Sequence, residues 1–299
     1  MSDFPTPSSG AEPPASPFRI QTLAVVGAGT MGQGIAQLGI QYGFPTLLFD
    51  LNPAALARAE QAIAAGLGKL VEKNKLSAEA REQALARLTC TSALADVQAD
   101  LIVEAVVERL NVKHQLFKDL AELNSSTTIL ASNTSSLPIT RLAAPVPYPE
   151  RVVGMHFFNP APLMALVEVI SGAATAPAVA DAVEALARKL GKTPVRAADA
   201  PGFIVNRVAR HFYVESLKIV EEQVADFAVV DELLEASGFR MGPFRLMDLI
   251  GVDTNFAVTS AMFESFHQEA KFRPSRVQQQ KVDAGHHGRK SGRGFYNYQ

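Results

Sequence analysis

The feature that most restricts this chain lies near its start. Thr22-Leu23-Ala24-Val25-Val26 is apolar and partly β-branched, and it runs straight into Gly27-Ala28-Gly29-Thr30-Met31-Gly32. Larger apolar residues then recur at helical spacing (Met31, Ile35, Leu38, Tyr42) until Gly43 closes the run. Three glycines alone are a weak signal. Placed between a strand and a helix, they form the loop that cradles a dinucleotide pyrophosphate. Gly27 permits the tight turn, Gly29 lets backbone approach the phosphates, and Gly32 lets the helix pack on the strand. The helix, starting at Thr30 and Met31, then turns free N–H groups and a partial positive charge toward the phosphates. Asp50 closes the next apolar strand, 23 positions after Gly27. A carboxylate there accepts both ribose hydroxyls and repels the 2′-phosphate of NADP. No arginine occurs at 51–57, so NAD is the expected cofactor. FAD in the same fold, or a glycine-rich turn without a ligand, are the alternatives.

The alternation continues. Helical patterns around Leu56–Val71 and from Ser77 suggest an inserted helical hairpin. Strand runs are expected at 100–107, 128–131, 152–155, 166–170 and 193–196, with helices at 112–123 and 176–190. Strands alternating with helices predict an α/β fold, a Rossmann-type, mainly parallel sheet covered on both faces. After Ala200 the strands stop. Pro201-Gly202 is read as opening a long helix with Phe203, Ile204, Val208, Phe212, Leu217 and Val220 on its apolar side. Helical runs at 229–237, 243–250, 254–269 and 274–284 complete a smaller all-α domain. The expected division is therefore a disordered Pro/Ser/Ala-rich tail over 1–18, an NAD-binding domain over 19–199 and a helical C-terminal domain over 200–299.

Composition removes several function classes. A formal net charge of −2 gives no surface suited to nucleic acid. The single cysteine, Cys90, excludes an internal disulfide and a cysteine-rich metal site, and it reads as a small buried residue. No apolar run reaches membrane-spanning length, and no secretory or mitochondrial leader pattern is found. A cytoplasmic protein without a metal, membrane or nucleic-acid partner is expected.

Taking a proton from an alcohol while hydride leaves requires a base that works near neutral pH, and histidine suits it. Of the six histidines, His156 stands apart: it ends an apolar strand and opens Phe157-Phe158-Asn159-Pro160. Strand ends are where ligands bind in α/β sheets. Glu168 lies inside the apolar run Ala165–Ile170, where a carboxylate is costly unless paired. If the two strands are neighbours, Glu168 holds the imidazole's orientation and favours its protonated form. A structural His and Glu satisfying each other is the alternative. His114, His211, His267, His286 and His287 have weaker contexts.

Taken together, these motifs resemble the short-chain L-3-hydroxyacyl-CoA dehydrogenases, a family that includes 3-hydroxybutyryl-CoA dehydrogenases. The similarity runs from about Ile20 to Tyr298. It rests on Val25–Gly32, Ser132-Asn133-Thr134-Ser135-Ser136, His156–Pro160, Leu166–Ile170, Pro201–Arg207, Met241-Gly242-Pro243-Phe244 and Gly288–Tyr296, in that order. The resemblance implies NAD-dependent oxidation of a 3-hydroxyacyl-CoA, with His156 as general base and Glu168 as the carboxylate that orients it. Ser135 and Asn206 match residues that hydrogen-bond the reacting oxygen, and Asn159 a position beside the nicotinamide. Glu108 and Lys113 match residues on the cofactor side, and Lys290 a C-terminal motif reaching it. The helical domain is implied to cover the cleft and to form a homodimer.

Bland readings stand beside these: a turn cap for Ser135, an exposed polar residue for Asn206, a helix-start acid and a solvated cation for Glu108 and Lys113, a loop charge for Lys290. Lys69, Lys73 and Lys75 form a basic end to the inserted hairpin that suits the phosphates of CoA, although Gly66 stands where many relatives carry serine. The stretch 248–259, with 274–279, resembles a subgroup acting on 3-hydroxyadipyl-CoA. A non-enzymatic NAD-binding protein is the alternative of another class.

Overall fold

The computed structural model describes residues 18–298. The tail expected over 1–18 lies outside that range except for Phe18. The first strand, β1 (Leu23–Val26), leads through the glycine loop into α1 (Thr30–Gln41), and β2 (Thr46–Phe49) follows. The hairpin is α2 (Pro53–Glu72) and α3 (Ala78–Leu85). Asn52 caps α2 by accepting from Ala54 N–H, and Ser77 caps α3 by accepting from Ala80 N–H. Then come β3 (Leu88–Thr91), β4 (Leu101–Glu104), α4 (Leu110–Leu123), β5 (Ile129–Ser132) and the short α5 (Ile139–Ala143). The domain closes with β6 (Val152–Phe157), β7 (Leu166–Ser171), α6 (Pro177–Lys189) and β8 (Thr193–Ala198).

The eight strands make one sheet in the order β3-β2-β1-β4-β5-β6-β7-β8, all parallel except the β6–β7 pair. The chain reverses its direction of travel across the sheet at β1, between β2 and β4. That is the switch point at which such sheets bind ligands. Alternation along each strand feeds two cores. Leu23 and Val25 face the cluster under α1, α2 and α6, and Ala24 and Val26 face the one under α4 and α5. Cys90 on β3 is only half-buried, not enclosed as expected, and burial beside Glu60 pushes its thiol up to about 12.

The second domain comprises α7 (Val205–Glu221), α8 (Phe227–Ala236), α9 (Pro243–Ile250), α10 (Val252–Ser265) and α11 (Arg276–Asp283). They pack around Tyr213, Leu217, Val230, Phe244, Met247, Val252 and Phe295. Its first helix starts later than the sequence suggests. Gly202 and Phe203 both take positive φ (+75° and +49°), so the chain turns before it coils. Phe203 belongs to the core of the sheet, not to the helical domain. Val208, expected inward, is 69% exposed. Among the described residues no helix is long and apolar enough to cross a membrane.

Candidate active site

The glycine loop is shaped for a ligand. Gly27 has φ +105°, and a Cβ there would meet Ala105 O at 2.7 Å. A Cβ on Gly32 would lie 1.7 Å from Gly27 O, so only glycine lets α1 approach its own loop this closely. Around Gly29 there is open space for at least 4 Å, and no side chain caps the helix N-terminus. The first-turn N–H groups therefore remain for an anion. Asp50 is partly exposed at the end of β2. Its Oδ2 accepts from Ala28 N–H (2.8 Å) and its Oδ1 from Asn52 N–H (2.9 Å), which locks the loop to the neighbouring strand. These residues fit an NAD: donors for the pyrophosphate, an acid for the ribose and a clear approach at Gly29.

His156 and Glu168 are direct register partners across the antiparallel β6–β7 pair. Strand alternation therefore points both side chains to one face. His156 Nδ1 lies 2.8 Å from Glu168 Oε2, with both residues buried. The second oxygen, Oε1, accepts from the N–H groups of Ile204 (2.9 Å) and Val205 (3.0 Å), at the entrance to α7. Burial alone would raise the Glu168 carboxyl. The hydrogen bonds from His156 and the two backbone N–H groups outweigh it and hold the carboxyl below its ordinary value. The Phe158 and Phe203 rings flank the imidazole at 4.6 and 5.8 Å.

A cavity of about 380 Å³ opens between the domains, lined by His156, Ser135, Asn133, Asn159 and Met31 on the side of the sheet and by Asn206 on α7. Thus a glycine-loop residue, His156 with Glu168 behind it, and two uncommitted polar side chains meet at one space. Among the described residues, neither Ser135 Oγ nor the Asn206 amide has a hydrogen-bond partner in the chain. With Glu168 on Nδ1, His156 keeps Nε2 for whatever occupies the cavity.

Ser135 is held by a network that sequence reasoning only partly found. Glu104 ends β4, fully buried, and Lys113 on α4 is 1% exposed. Lys113 Nζ donates to both Glu104 oxygens (2.8 Å each) and lies 2.9 Å from Glu108 Oε2. All three of its donors are used inside the protein. Lys113 is thus neither a solvated cation nor a group with a donor left for the cofactor. Glu108 Oε1 accepts from Thr134 Oγ1 and from the N–H groups of Ser135 (3.1 Å) and Ser136 (3.2 Å). Burial raises the Glu108 carboxyl, but Lys113 and the hydroxyls of Thr134 and Ser136 more than offset it and keep it low. Ser132 Oγ donates to Glu104 Oε2 (2.7 Å), and Asn133 Oδ1 accepts from Phe157 N–H (2.8 Å), tying this loop to the strand that carries His156. Glu104 had the signal that singled out Glu168, an acid inside an apolar run.

Lys290 pairs with Asp253 (2.7 Å) at the start of α10 and does not line the cavity. Lys69 and Lys73 are exposed at the end of α2 and make no ion pair among the described residues. A second hollow, lined by Thr30, Gln33, Gln37, Ala62, Ile63 and Asn159–Pro162, lies between α1, α2 and the loop after His156.

The chain matches two sequence models of known domains. Residues 22–200 match the 3-hydroxyacyl-CoA dehydrogenase NAD-binding domain, and 202–298 the C-terminal domain of the same enzymes. A protein of Escherichia coli named 3-hydroxyadipyl-CoA dehydrogenase is 50% identical over 94% of this chain, which spans 60% of that protein's length. A probable 3-hydroxybutyryl-CoA dehydrogenase of Deinococcus radiodurans is 44% identical over 92% of this chain and 99% of its own length. A crystal structure described as 3-hydroxybutyryl-CoA dehydrogenase from Escherichia coli superposes with a TM-score of 0.91 at 50% identity, covering 94% of this chain and 60% of that one.

Proposed function

The chain belongs to the 3-hydroxyacyl-CoA dehydrogenase family, and on that premise we propose that it oxidises a short L-3-hydroxyacyl-CoA to the 3-oxoacyl-CoA with NAD. The observation that carries this reading is the His156–Glu168 pair, opening into the same cavity as Ser135, Asn206 and the first turn after the glycine loop. His156 Nε2 takes the 3-hydroxyl proton as the C3–H bond breaks. Bound NAD supplies the hydride acceptor. The imidazole then carries positive charge, and the ionised Glu168 at 2.8 Å stabilises it and keeps its plane aimed into the cavity. Ser135 Oγ–H and the Asn206 amide donate to the oxygen on which negative charge develops. Asn159 lies beside the site where the nicotinamide is held. Glu108 and Lys113 keep the Ser135 loop in place, a positioning role. The Asp50 carboxylate favours NAD over NADP.

Two acyl substrates fit the family reading, 3-hydroxybutyryl-CoA and 3-hydroxyadipyl-CoA, and the relatives carry both names. Lys69 and Lys73 are assigned to the phosphates of CoA. A homodimer through the helical domain is supported by exposed apolar side chains there, among them Val208 at 69%, Leu233 at 65% and Phe239 at 51%. The cytoplasm and fatty-acid β-oxidation are the setting this chemistry suits.

The test is direct. Purified protein should reduce NAD in the presence of 3-hydroxybutyryl-CoA, and His156→Gln should lose about 10²–10⁴-fold in kcat while still binding NADH. Turnover near that of the wild type in His156→Gln would remove His156 as the base.

A further inference from the structure

The cavity has a second polar end that the proton transfer does not use. Arg210 lies four residues after Asn206 on α7, about 6 Å further along the same helix face. It lines the same cavity and is 3% exposed. Nη1 donates to Asn255 O (3.0 Å) and Thr259 Oγ1 (2.8 Å), and the guanidinium stacks over Tyr213 at 5.0 Å. Among the described residues, Nε is buried without an acceptor and Nη2 donates to nothing.

A buried guanidinium is costly without a carboxylate, and the domain's buried or pocketed carboxylates are all committed elsewhere. Asp231 accepts from the N-terminus of α9, and Asp248 from Phe295 and Tyr296. Asp253 pairs with Lys290, and Glu221 accepts from Ser275 and the first turn of α11. Burial lowers Arg210 to about 10, so it remains charged at neutral pH. Beside it, Asn255 Oδ1 already accepts from Gln278 Nε2 (2.9 Å), and among the described residues the Asn255 amide N–H groups have no partner. This end of the cavity therefore offers donors and one uncompensated positive charge. Ala209, Ile250 and Val258 line the wall with apolar surface.

We propose that Arg210, with the Asn255 amide, is the receptor for a carboxylate at the far end of the acyl chain, so that the cavity selects a 3-hydroxy dicarboxylic acyl-CoA. This rests on the dehydrogenase reading above. The reach is consistent. In an extended six-carbon chain, C3 and the terminal carboxyl carbon are three bonds apart, about 3.8 Å as for successive Cα atoms. Adding a carboxylate oxygen and a hydrogen bond of about 2.8 Å covers the one-turn separation of Asn206 and Arg210.

The experiment compares kcat/KM on 3-hydroxyadipyl-CoA and 3-hydroxyhexanoyl-CoA, which have six-carbon acyl groups and differ by carboxylate for methyl. The wild type should prefer the dicarboxylic substrate by at least about tenfold. In Arg210→Met the ratio should fall about 100-fold, with Arg210→Lys between them. Arg210→Met also changes a buried site, so the wild type is assayed in addition on the terminal methyl ester, which should lose the preference. Equal use of acid and ester, a wild-type preference for the hexanoyl substrate, or an unchanged ratio in a folded Arg210→Met overturns the assignment of Arg210. Absence of wild-type oxidation of any 3-hydroxyacyl-CoA, the butyryl substrate included, would instead overturn the dehydrogenase reading beneath it.

Discussion

Lys113→Met tests whether the buried ion pair organises the site. In the wild type, Lys113 Nζ reaches three carboxylate oxygens at 2.8, 2.8 and 2.9 Å, and both it and Glu104 are almost wholly buried. The variant leaves Glu104 with only Val106 N–H and Ser132 Oγ–H as donors. Removing one partner of a buried pair costs about 3–5 kcal/mol, because the other charge stays behind uncompensated. At roughly 2–4 °C per kcal/mol for a domain of this size, Tm should fall by about 6–20 °C. Glu108 also loses its cation, so the loop holding Ser135 should loosen and kcat should drop with Tm. The assay is thermal unfolding of wild type, Lys113→Met, Glu104→Gln and the double variant. In the double variant no bare carboxylate remains on β4, so its loss should be smaller than the sum of the singles by at least about 1 kcal/mol. A Tm drop below about 3 °C, or strict additivity, would refute the argument.

Glu168→Gln removes the charge that steadies the imidazolium, and kcat should fall by about 10- to 100-fold with KM little changed. Because the folded protein holds the Glu168 carboxyl below its ordinary 4.5, the stability it contributes is present above that pH and lost as pH falls through the lowered value. The Tm gap between wild type and Glu168→Gln should accordingly narrow in acid; a gap that widened would show the sign to be wrong. Gly32→Ala drives a methyl into Gly27 O, and titration with NADH should show at least about tenfold weaker binding. Asp50→Ala should raise KM for NAD about tenfold and narrow the preference over NADP, measured as the ratio of the two kcat/KM values.

Much of this was legible because burial and periodicity leave marks on a single strand or helix. The alternation from β1 to β8, the helix start at Ser77 and the carboxylate inside β7 are local signals. What escaped depends on contacts between distant segments. A lysine on a charged helix reads as solvated, and Lys113 is buried only because the ends of β4 and α4 converge. Pro201-Gly202 has the chemistry of a helix start, but the sheet core takes Phe203 and delays the helix to Val205. Arg210 breaks the apolar stripe of α7, and nothing local tells a buried guanidinium from an exposed one. Lys290 likewise carries no local sign of its ion-pair partner, because Asp253 lies 37 positions away in the sequence.

The two oxygens of Glu168 have one further implication. One oxygen aims the imidazole and the other holds the first N–H groups of the helical domain, so a single carboxylate is at once a catalytic brace and the latch between domains. A hinge motion at Phe203 that lifted α7 would withdraw two of the donors that keep this carboxylate ionised and tug on its bond to His156. Opening and chemistry are therefore coupled at this residue. With the latch released the base would lose its aim, so the position of α7 and the readiness of His156 are set by the same carboxylate.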